Sequence, residues 1–275
     1  MNETVEIVIE PGRGAIHYWR DIWRYRELFF FLAWRDILVR YKQTAIGIVW
    51  SVLRPFLTMV VFTVVFGKLA KLPSNGIPYP VMVYAAMLPW QFFANSLSES
   101  SNSLIDNANL LTKVYFPRLI VPAGSVIVSL VDFFISLAIL AVLMGWYHLL
   151  PDIRMLLLPF FLILAFFASA GAGLWLSALN VQYRDFRYVI PFLLQFGLYI
   201  SPVGFSSAIV PEQWRFYYFL NPMVGVIEGF RWAILGNAFP VNWPGLVLSS
   251  LLVVLTFFSG VHYFRRMERS FADVV

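Results

Sequence analysis

The chain contains no cysteine, only three histidines and few charged residues. Without cysteine it can form no disulfide, thiolate nucleophile or Cys-ligated metal site. His17, His148 and His262 lie in separate segments and lack the spacing of a metal-binding motif. The sequence also has no G-x-x-x-x-G-K-[ST] loop and no G-x-S-x-G turn. We therefore expect no metal, no bound cofactor and no catalytic residue in this chain.

Long apolar stretches take the place of the missing charges. Hydrophobic residues make up 60% of the chain and charged residues 13%, against about 45–50% and about 25% in soluble domains. A helix needs about 20 apolar residues to cross a bilayer. Six stretches are long enough, at about 49–67, 79–98, 119–146, 155–179, 188–205 and 245–264. The predicted fold class is an all-α polytopic membrane protein with six transmembrane helices, over residues 44–264.

Basic residues are sorted between the two sides of this arrangement. With the N-terminus in the cytoplasm, fifteen of the 20 Lys and Arg residues lie on cytoplasmic segments. The positive-inside rule therefore predicts that both termini are cytoplasmic. The net charge of +5 is explained by loops facing anionic lipid. We expect membrane lipid, and no nucleic acid, as its partner.

The segments outside the six apolar stretches are predicted to form tails, an interface helix and a re-entrant pair of helices. Residues 1–16 and 265–275 are predicted tails, with an exposed strand or tail at 1–15. Residues 17–43 are basic, aromatic and helical in period, which predicts an amphipathic helix lying in the cytoplasmic interface. The alternative is a soluble helix packed on a partner domain. Residues 206–236 are apolar but interrupted by proline, and we expect a re-entrant pair of short helices before the last span.

Charged residues inside the apolar segments have simple interpretations. Asp132 lies within the third span, where a buried hydrogen-bonding role is favoured over a role in transport. Glu228 and Arg231 are three residues apart, which predicts an ion pair. The small residues of 168–173 in the fourth span favour close helix contact.

Four segments together resemble a known family. They are FFFLAWRDILVRYKQTAIGIVWSVLRPF, LPWQFFANSLSESSNSLIDNANLLTKVYFPRLIVP, NVQYRDFRYVIPFLLQFGLYISPV and FLNPMVGVIEGFRWAILG. In this order and spacing, over about 28–236, they resemble the permease subunits of ABC-2-type polysaccharide exporters for O-antigen, capsule or teichoic acid. The resemblance implies a homodimer in the bacterial inner membrane. It also implies two copies of a separate nucleotide-binding ABC ATPase subunit, which would bind ATP and Mg, and a lipid-linked polysaccharide as substrate.

The resemblance also assigns site residues. Two cytoplasmic loops, about 101–117 and 180–187, are expected to couple to the ATPase. Their candidate residues are Asn107, Asn109, Lys113, Arg118, Tyr183, Arg184, Asp185 and Arg187. The first and fifth spans are expected to line the channel. Their aromatic candidates are Trp50, Phe62, Phe66, Tyr188, Phe192, Phe196 and Tyr199.

The channel assignment has a physical basis and an alternative. The four aromatic residues of the fifth span lie on one helical face, and rings can stack on the C–H edges of sugars. An aromatic stripe can equally pack against a neighbouring helix. The predicted function is export of lipid-linked polysaccharide, most of all O-antigen, to the periplasm. The alternatives are an exporter of another cargo, such as teichoic acid, lipid or drug, a membrane-embedded glycan enzyme, and an unpowered channel or scaffold.

Overall fold

A computed structural model of the chain describes residues 15–42, 45–268 and Phe271. Within these ranges the chain is helical and forms no strand. Most of the predicted tails lies outside them, including residues 1–14 of the segment predicted as an exposed strand or tail. The helices are α1 (Ala15–Arg24), α2 (Arg26–Lys42), α3 (Ala45–Phe62), α4 (Tyr79–Asp106), α5 (Ala108–Lys113), α6 (Ile120–Trp146), α7 (Leu158–Gln182), α8 (Phe186–Ile200), α9 (Glu212–Tyr218), α10 (Pro222–Leu235) and α11 (Trp243–Met267). Π-helical turns extend α3 over Thr63–Leu69, and short 3-10 turns cover Ile153–Leu157, Ser207–Ile209 and Gly236–Ala238.

Four of the described helical segments are long and apolar enough to cross a membrane. They are Val52–Leu69, Ile120–Trp146, Ile153–Gln182 and Trp243–Met267. The other two predicted spans fall on helices of a different kind. α8 is apolar but has only 15 residues, and α4 has 28 residues with Ser and Asn frequent in its second half.

The helices run between two ends of the molecule. One end, called the near end, holds a buried cluster to which α2, α5, the end of α4, the start of α6, and the ends of α7 and α11 contribute. Phe271 belongs to this cluster, and Arg265 lies 4.7 Å over the ring of Tyr18 in α1. The described ends of the chain therefore lie together. The opposite end, called the far end, holds α9, α10 and the loops around them.

α4 forms the centre of the bundle. It packs against α6, α7 and α10, and also contacts α3 and α8. Every residue from Val81 to Trp90 is buried, so no face of this stretch reaches the surface. Because its surroundings are protein, α4 can carry Ser and Asn in its second half without exposing them to lipid.

Small residues let α7 and α11 approach closely. A Cβ on Gly260 would lie 2.3 Å from the carbonyl oxygen of Gly171, and a Cβ on Gly171 would lie 2.6 Å from Cα of Phe257. The next small residue, Gly173, faces α4, where a Cβ would lie 2.7 Å from Oγ of Ser100. The small residues predicted for close packing therefore do serve it.

The N-terminal region forms two helices, which corrects the prediction of one helix over 17–43. The break lies at Tyr25, between α1 and α2. α2 packs on α6 and buries Leu32 and Ala33, while Phe30 and Trp34 on its other side are exposed. The first loop is also shorter than predicted, because α4 continues through Asp106 and includes residues 101–106.

Residues 206–236 contain two short helices, α9 and α10. Asn221 separates α9 from α10, and its side chain accepts a hydrogen bond from the Met223 backbone N–H at 3.1 Å. Pro222 then occupies the first turn, where its missing N–H costs no intrahelical bond. Gly236 ends α10 with a φ of +64°, in the left-handed region that favours glycine.

Candidate functional site

The aromatic stripe of α8 lies on the surface of the single chain. Tyr188 is 80% exposed, and Phe192, Phe196 and Tyr199 are each more than half exposed. The rings of Phe192 and Phe196 stack with centroids 6.0 Å apart and planes 6° apart. Helical spacing places these four residues on one side of α8. Four of the seven predicted channel residues therefore form one surface, called the α8 face below.

The three candidates on the first span are placed differently. Trp50 is exposed near the start of α3, but Phe62 is only 4% exposed. The Phe62 ring stacks on Tyr199 with centroids 6.1 Å apart, and Phe66 lies 5.2 Å from Phe62. A Cβ on Gly204 would lie 2.8 Å from atoms of both phenylalanine rings. At the far end, α3 and α8 are thus joined by aromatic contacts.

Exposed apolar side chains continue on both helices. On α3 they include Val49, Phe56, Leu57, Val60 and Val61, and on α8 they include Val189, Leu193 and Ile200. Both helices make fewer contacts with the bundle than α4 and α7 do. Together with the α8 face they present a wide apolar and aromatic surface to whatever lies beside the single chain.

The first predicted coupling segment is tied to α2. Arg35 of α2 donates from Nη2 to the Asn107 side-chain oxygen at 2.8 Å, and Asn107 in turn donates to the Ser103 carbonyl. Asn109 and Lys113 on α5 are exposed. This link to α2 has no signal in the sequence, because the two residues are 72 positions apart.

The second predicted coupling segment lies beside the first. Tyr183, Arg184, Asp185 and Arg187 are all exposed around the start of α8. Arg184 and Arg187 line a pocket of about 380 Å³ with Asn180, Tyr188 and the Ile105–Ala108 region. The structure therefore brings the two coupling segments together at one basic pocket of the near end.

Arg118 is held inside the chain instead. Its Nη1 donates to the Glu268 carbonyl at 2.8 Å, and its backbone N–H donates to the Glu268 carboxylate at 2.8 Å. The Tyr18 hydroxyl lies close enough to this carboxylate to interact with it electrostatically. Burial raises the pKa of Glu268, and burial beside Glu268 raises that of Tyr18 above its usual range. Arg118 thus joins α1, the start of α6 and the end of α11.

A second polar link fixes the other end of α2. The Tyr41 hydroxyl donates to Asp132 Oδ1, and Arg40 Nη2 lies 3.2 Å from Asp132 Oδ2. Arg40 Nη1 also lies 3.6 Å from Glu99 of α4. This confirms the hydrogen-bonding interpretation of Asp132. The partners of Asp132 are 91 or more residues away in the sequence. The only sequence signal for them was the carboxylate itself, because a carboxylate within an apolar span needs a partner.

Arg231 behaves differently from the prediction. It is 1% exposed and donates to the carbonyls of Phe205 at 3.0 Å and Pro202 at 2.5 Å. Among the described residues it forms no ion pair with Glu228 within 4 Å, although the two charges still interact over a longer distance. The predicted direct ion pair does not form, because the guanidinium donates instead to backbone carbonyls of the segment that follows α8. Arg231 fastens α10 to the end of α8.

Within the described ranges, no group of three His, Cys, Asp or Glu residues could hold a metal ion. The charged clusters above consist of ion pairs and hydrogen bonds between helices. None of these clusters contains a nucleophile hydrogen-bonded to a general base. Acyl or phosphoryl transfer by side chains requires such a pair. The arrangement is that of a helical bundle with two polar ends and an aromatic side.

Comparison with known proteins agrees with this arrangement. The family model described as ABC-2 type transporter matches residues 27–235. An O-antigen export system permease protein from Myxococcus xanthus is 28% identical over 93% of this chain and 98% of that protein. A polysialic acid transport protein from Escherichia coli is 24% identical, covering 86% of this chain and 92% of that protein. A capsule polysaccharide export inner-membrane protein from Neisseria meningitidis is 26% identical, covering 82% and 86%.

The family match covers most of the chain, and these relatives align with it almost from end to end. The match includes α2, both coupling segments, the α8 face and α10, and it confirms the resemblance recognised in the sequence. Family members of this kind are membrane permeases that work with a separate ATPase subunit. The chain belongs to the ABC-2 type transporter family and is a transport permease, not an enzyme.

Proposed function

We propose that this chain is the channel-forming permease of an ATP-driven exporter that moves lipid-linked O-antigen from the cytoplasm to the periplasm. The observation that carries the proposal is the exposed α8 face. Aromatic rings stack on the C–H edges of sugars, and the hydroxyls of Tyr188 and Tyr199 can exchange hydrogen bonds with sugar hydroxyls. Several weak contacts in a row favour movement along a pore over trapping at one site.

The channel forms between two copies of this chain. α3 and α8 each expose an apolar side that the single chain leaves uncovered, and a second copy related by two-fold symmetry would cover or enclose it. In this arrangement Trp50 and the α8 face line the passage. Phe62 and Phe66 stand behind Tyr199 and hold its ring in position.

Six helices cross the inner membrane in this proposal. They are α3, α4, α6, α7, α8 and α11, and they alternate in direction between the near and far ends. The near end faces the cytoplasm, because the basic residues gather there and the positive-inside rule applies. α1 and α2 lie in the cytoplasmic interface, with exposed Trp23 and Phe30 towards lipid. α9 and α10 form the re-entrant pair at the periplasmic side.

The near end receives the ATPase, in two copies per dimer, each binding ATP and Mg. The exposed residues around the near-end pocket are the contact surface, with Asn109 and Lys113 from one segment and Arg184 and Arg187 from the other. Movement of these segments passes to α2 through the Arg35–Asn107 hydrogen bond. At the far end, Arg231 makes the re-entrant pair move with α8.

A second cargo has a specific observation in its favour. Two of the compared relatives are named as polysialic acid and capsule polysaccharide transporters. An anionic capsule chain is therefore the alternative cargo for the same channel. Export of teichoic acid, lipid or drug, and a membrane-embedded glycan enzyme, have no comparable support among the described residues.

The test is transport by the purified complex in vesicles. The permease is reconstituted with the ATPase subunit from its own cell, and lipid-linked O-antigen reaching the lumen is measured after ATP addition. The double variant Phe192→Ala/Phe196→Ala should lower the transport rate by about tenfold, because each stacking contact is worth about 0.5–1.5 kcal/mol. Phe258→Ala is the control, since this residue is also exposed and lies on α11, which packs on α7 and α10.

The outcomes separate the proposals. Transport of O-antigen by the wild type, lost in the double variant and kept in the control, supports the channel assignment. Transport of an acidic capsule chain in place of O-antigen selects the second cargo. Equal loss in both variants would show that the α8 face is not the path. No ATP-dependent transport of any polysaccharide would refute the proposed function.

A further inference from the structure

A polar cavity lies between α2, α3, α4, α6 and α8. Its volume is about 310 Å³, at the lower end of the range of ligand pockets, which is roughly 300–1,000 Å³. Trp50, which is exposed, and Leu198 of α8 contribute to its wall. Neither the coupling segments nor the α8 face include it.

Three helices each contribute a pair of polar side chains to this cavity. The pairs are Arg54 and Thr58 on α3, Gln91 and Asn95 on α4, and Asp132 and Ser136 on α6. In each pair the residues are four apart, so both side chains project from one face of their helix. Arg54 is exposed, whereas the other five side chains are partly or fully buried, and buried polar groups are costly unless they meet a partner. Their convergence on one space indicates a binding site.

The charges within the cavity differ in how they are balanced. Asp132 is paired with Arg40 and accepts from Tyr41, so α2 satisfies it and closes that side. Arg54 has no acidic side chain within 4 Å in the described parts of the chain, and it lies at the start of an apolar span. A guanidinium at such a position either reaches the aqueous interface or binds an anion. Its planar fork matches the oxygens of a phosphate or a carboxylate.

The remaining wall suits a sugar. Gln91 and Asn95 offer amide donors and acceptors, and the aromatic rings of Trp50 and Trp90 border the same space. Trp90 is held firmly, because it is buried and packs over Gly197, where a Cβ would lie 2.6 Å from the indole. Amides beside a fixed aromatic ring can bind the hydroxyls and the C–H edges of one pyranose together.

We propose that this cavity binds a glycosyl diphosphate, the junction at which the sugar chain is joined to its polyprenyl lipid. The proposal rests on the proposed function, since only a lipid-linked polysaccharide carries this junction. Arg54 binds the diphosphate, and Gln91, Asn95 and Trp90 bind the first sugar. The lipid leaves past the exposed Trp50, and the sugar chain continues towards the α8 face.

The test is equilibrium binding to the permease–ATPase complex in lipid nanodiscs. The probe is radiolabelled farnesyl-diphosphate N-acetylglucosamine, compared with farnesyl diphosphate and with inorganic diphosphate. Arg54→Gln should raise the Kd for the sugar-bearing probe about 10- to 100-fold, because a hydrogen-bonded charge is worth about 1.5–3 kcal/mol. Arg54→Lys should raise it less, since it keeps the charge without the fork.

Two further variants guard against misfolding and general charge effects. Lys68→Gln removes another exposed cation from the same span, in its π-helical turns, and should leave the Kd unchanged. Asn95→Asp should weaken binding of every diphosphate probe, because it adds a negative charge to the cavity. Each variant complex is checked for its assembled size by gel filtration before binding is measured.

The results distinguish this inference from the proposed function. If the wild-type complex exports polysaccharide but Arg54→Gln and Asn95→Asp bind the sugar-bearing probe as tightly as the wild type, the cavity assignment is overturned. Equal affinity for inorganic diphosphate would overturn the lipid-linked ligand and leave a free anion site. Binding of the probe with the expected losses, in a complex that exports nothing, would support the cavity and refute the proposed function.

Discussion

Replacing Gly260 with alanine should separate two helices that now touch through their backbones. The added Cβ would lie 2.3 Å from the carbonyl oxygen of Gly171, whereas carbon and oxygen normally stay about 3.3 Å apart. The obstacle is the backbone of α7 and cannot rotate away, so α7 and α11 must move apart by about 1 Å. A gap of that size forfeits about a quarter to a half of each contact along the interface.

The net effect follows from two opposing contributions. Overpacking of this kind costs about 1–3 kcal/mol, and we expect the upper part of that range because the clash is with backbone. Alanine recovers about 1 kcal/mol relative to glycine through its better helix propensity. Gly260→Ala should therefore destabilise the protein by about 1–2 kcal/mol. In a chain of this size that lowers the Tm by roughly 3–6 °C.

The assay is thermal unfolding of the purified protein in mild detergent. The quantity measured at each temperature is the fraction of protein that remains monodisperse. Gly124→Ala is the matched control, because its Cβ would meet no atom within 4 Å of a neighbouring element. This control should raise the Tm or leave it unchanged. Equal Tm values for the two variants would refute the close contact between α7 and α11.

Three other predictions concern the polar links and the orientation. Arg231→Met should destabilise the protein by about 3 kcal/mol, because two close carbonyls lose a charged donor; a loss under 1 kcal/mol in thermal unfolding would contradict this. Burial raises the pKa of the Glu268 carboxyl group. Protonated Glu268 therefore stabilises the folded wild type at pH values below the ordinary pKa of glutamate, and this stabilisation is lost as the pH rises through the raised pKa. The Tm of Glu268→Gln should therefore rise relative to the wild type between pH 4 and pH 8, and a constant difference would argue against the buried carboxylate. Since the chain has no cysteine, Leu150→Cys at the far end and Thr112→Cys at the near end can be labelled singly; an impermeant maleimide should reach only the former in intact cells, and the reverse pattern would invert the proposed orientation.

The sequence predicted helices better than it predicted their surroundings. Apolar stretches at 119–146 and 155–179 fall on α6 and α7, because these helices face outward along much of their length and their composition reflects it. The interruption at Asn221 was recognisable as well, since a cap followed by proline is a local signal. Such features depend on residues close together in the chain.

Contacts between segments that are distant in the chain could not be predicted from the sequence. The break at Tyr25 has no proline or glycine to announce it. Arg231 was assigned to Glu228 by helical spacing, but the carbonyls after α8 compete for it and are 26 to 29 residues away. The cavity at Arg54 forms only when five helices are in place, although three of them carry recognisable pairs of polar residues in the sequence.

The enclosure of α4 bears on how the protein is made. A helix enters the bilayer from the translocation machinery according to its own apolarity, and α4 is not among the four described helical segments that are apolar enough to span by composition. Its neighbours α6, α7 and α10 are all synthesised later. We therefore expect α4 to become stably inserted only after those helices are made and surround it. Nascent chains that stop after α5 should leave α4 extractable by alkali, whereas chains that include α7 should retain it.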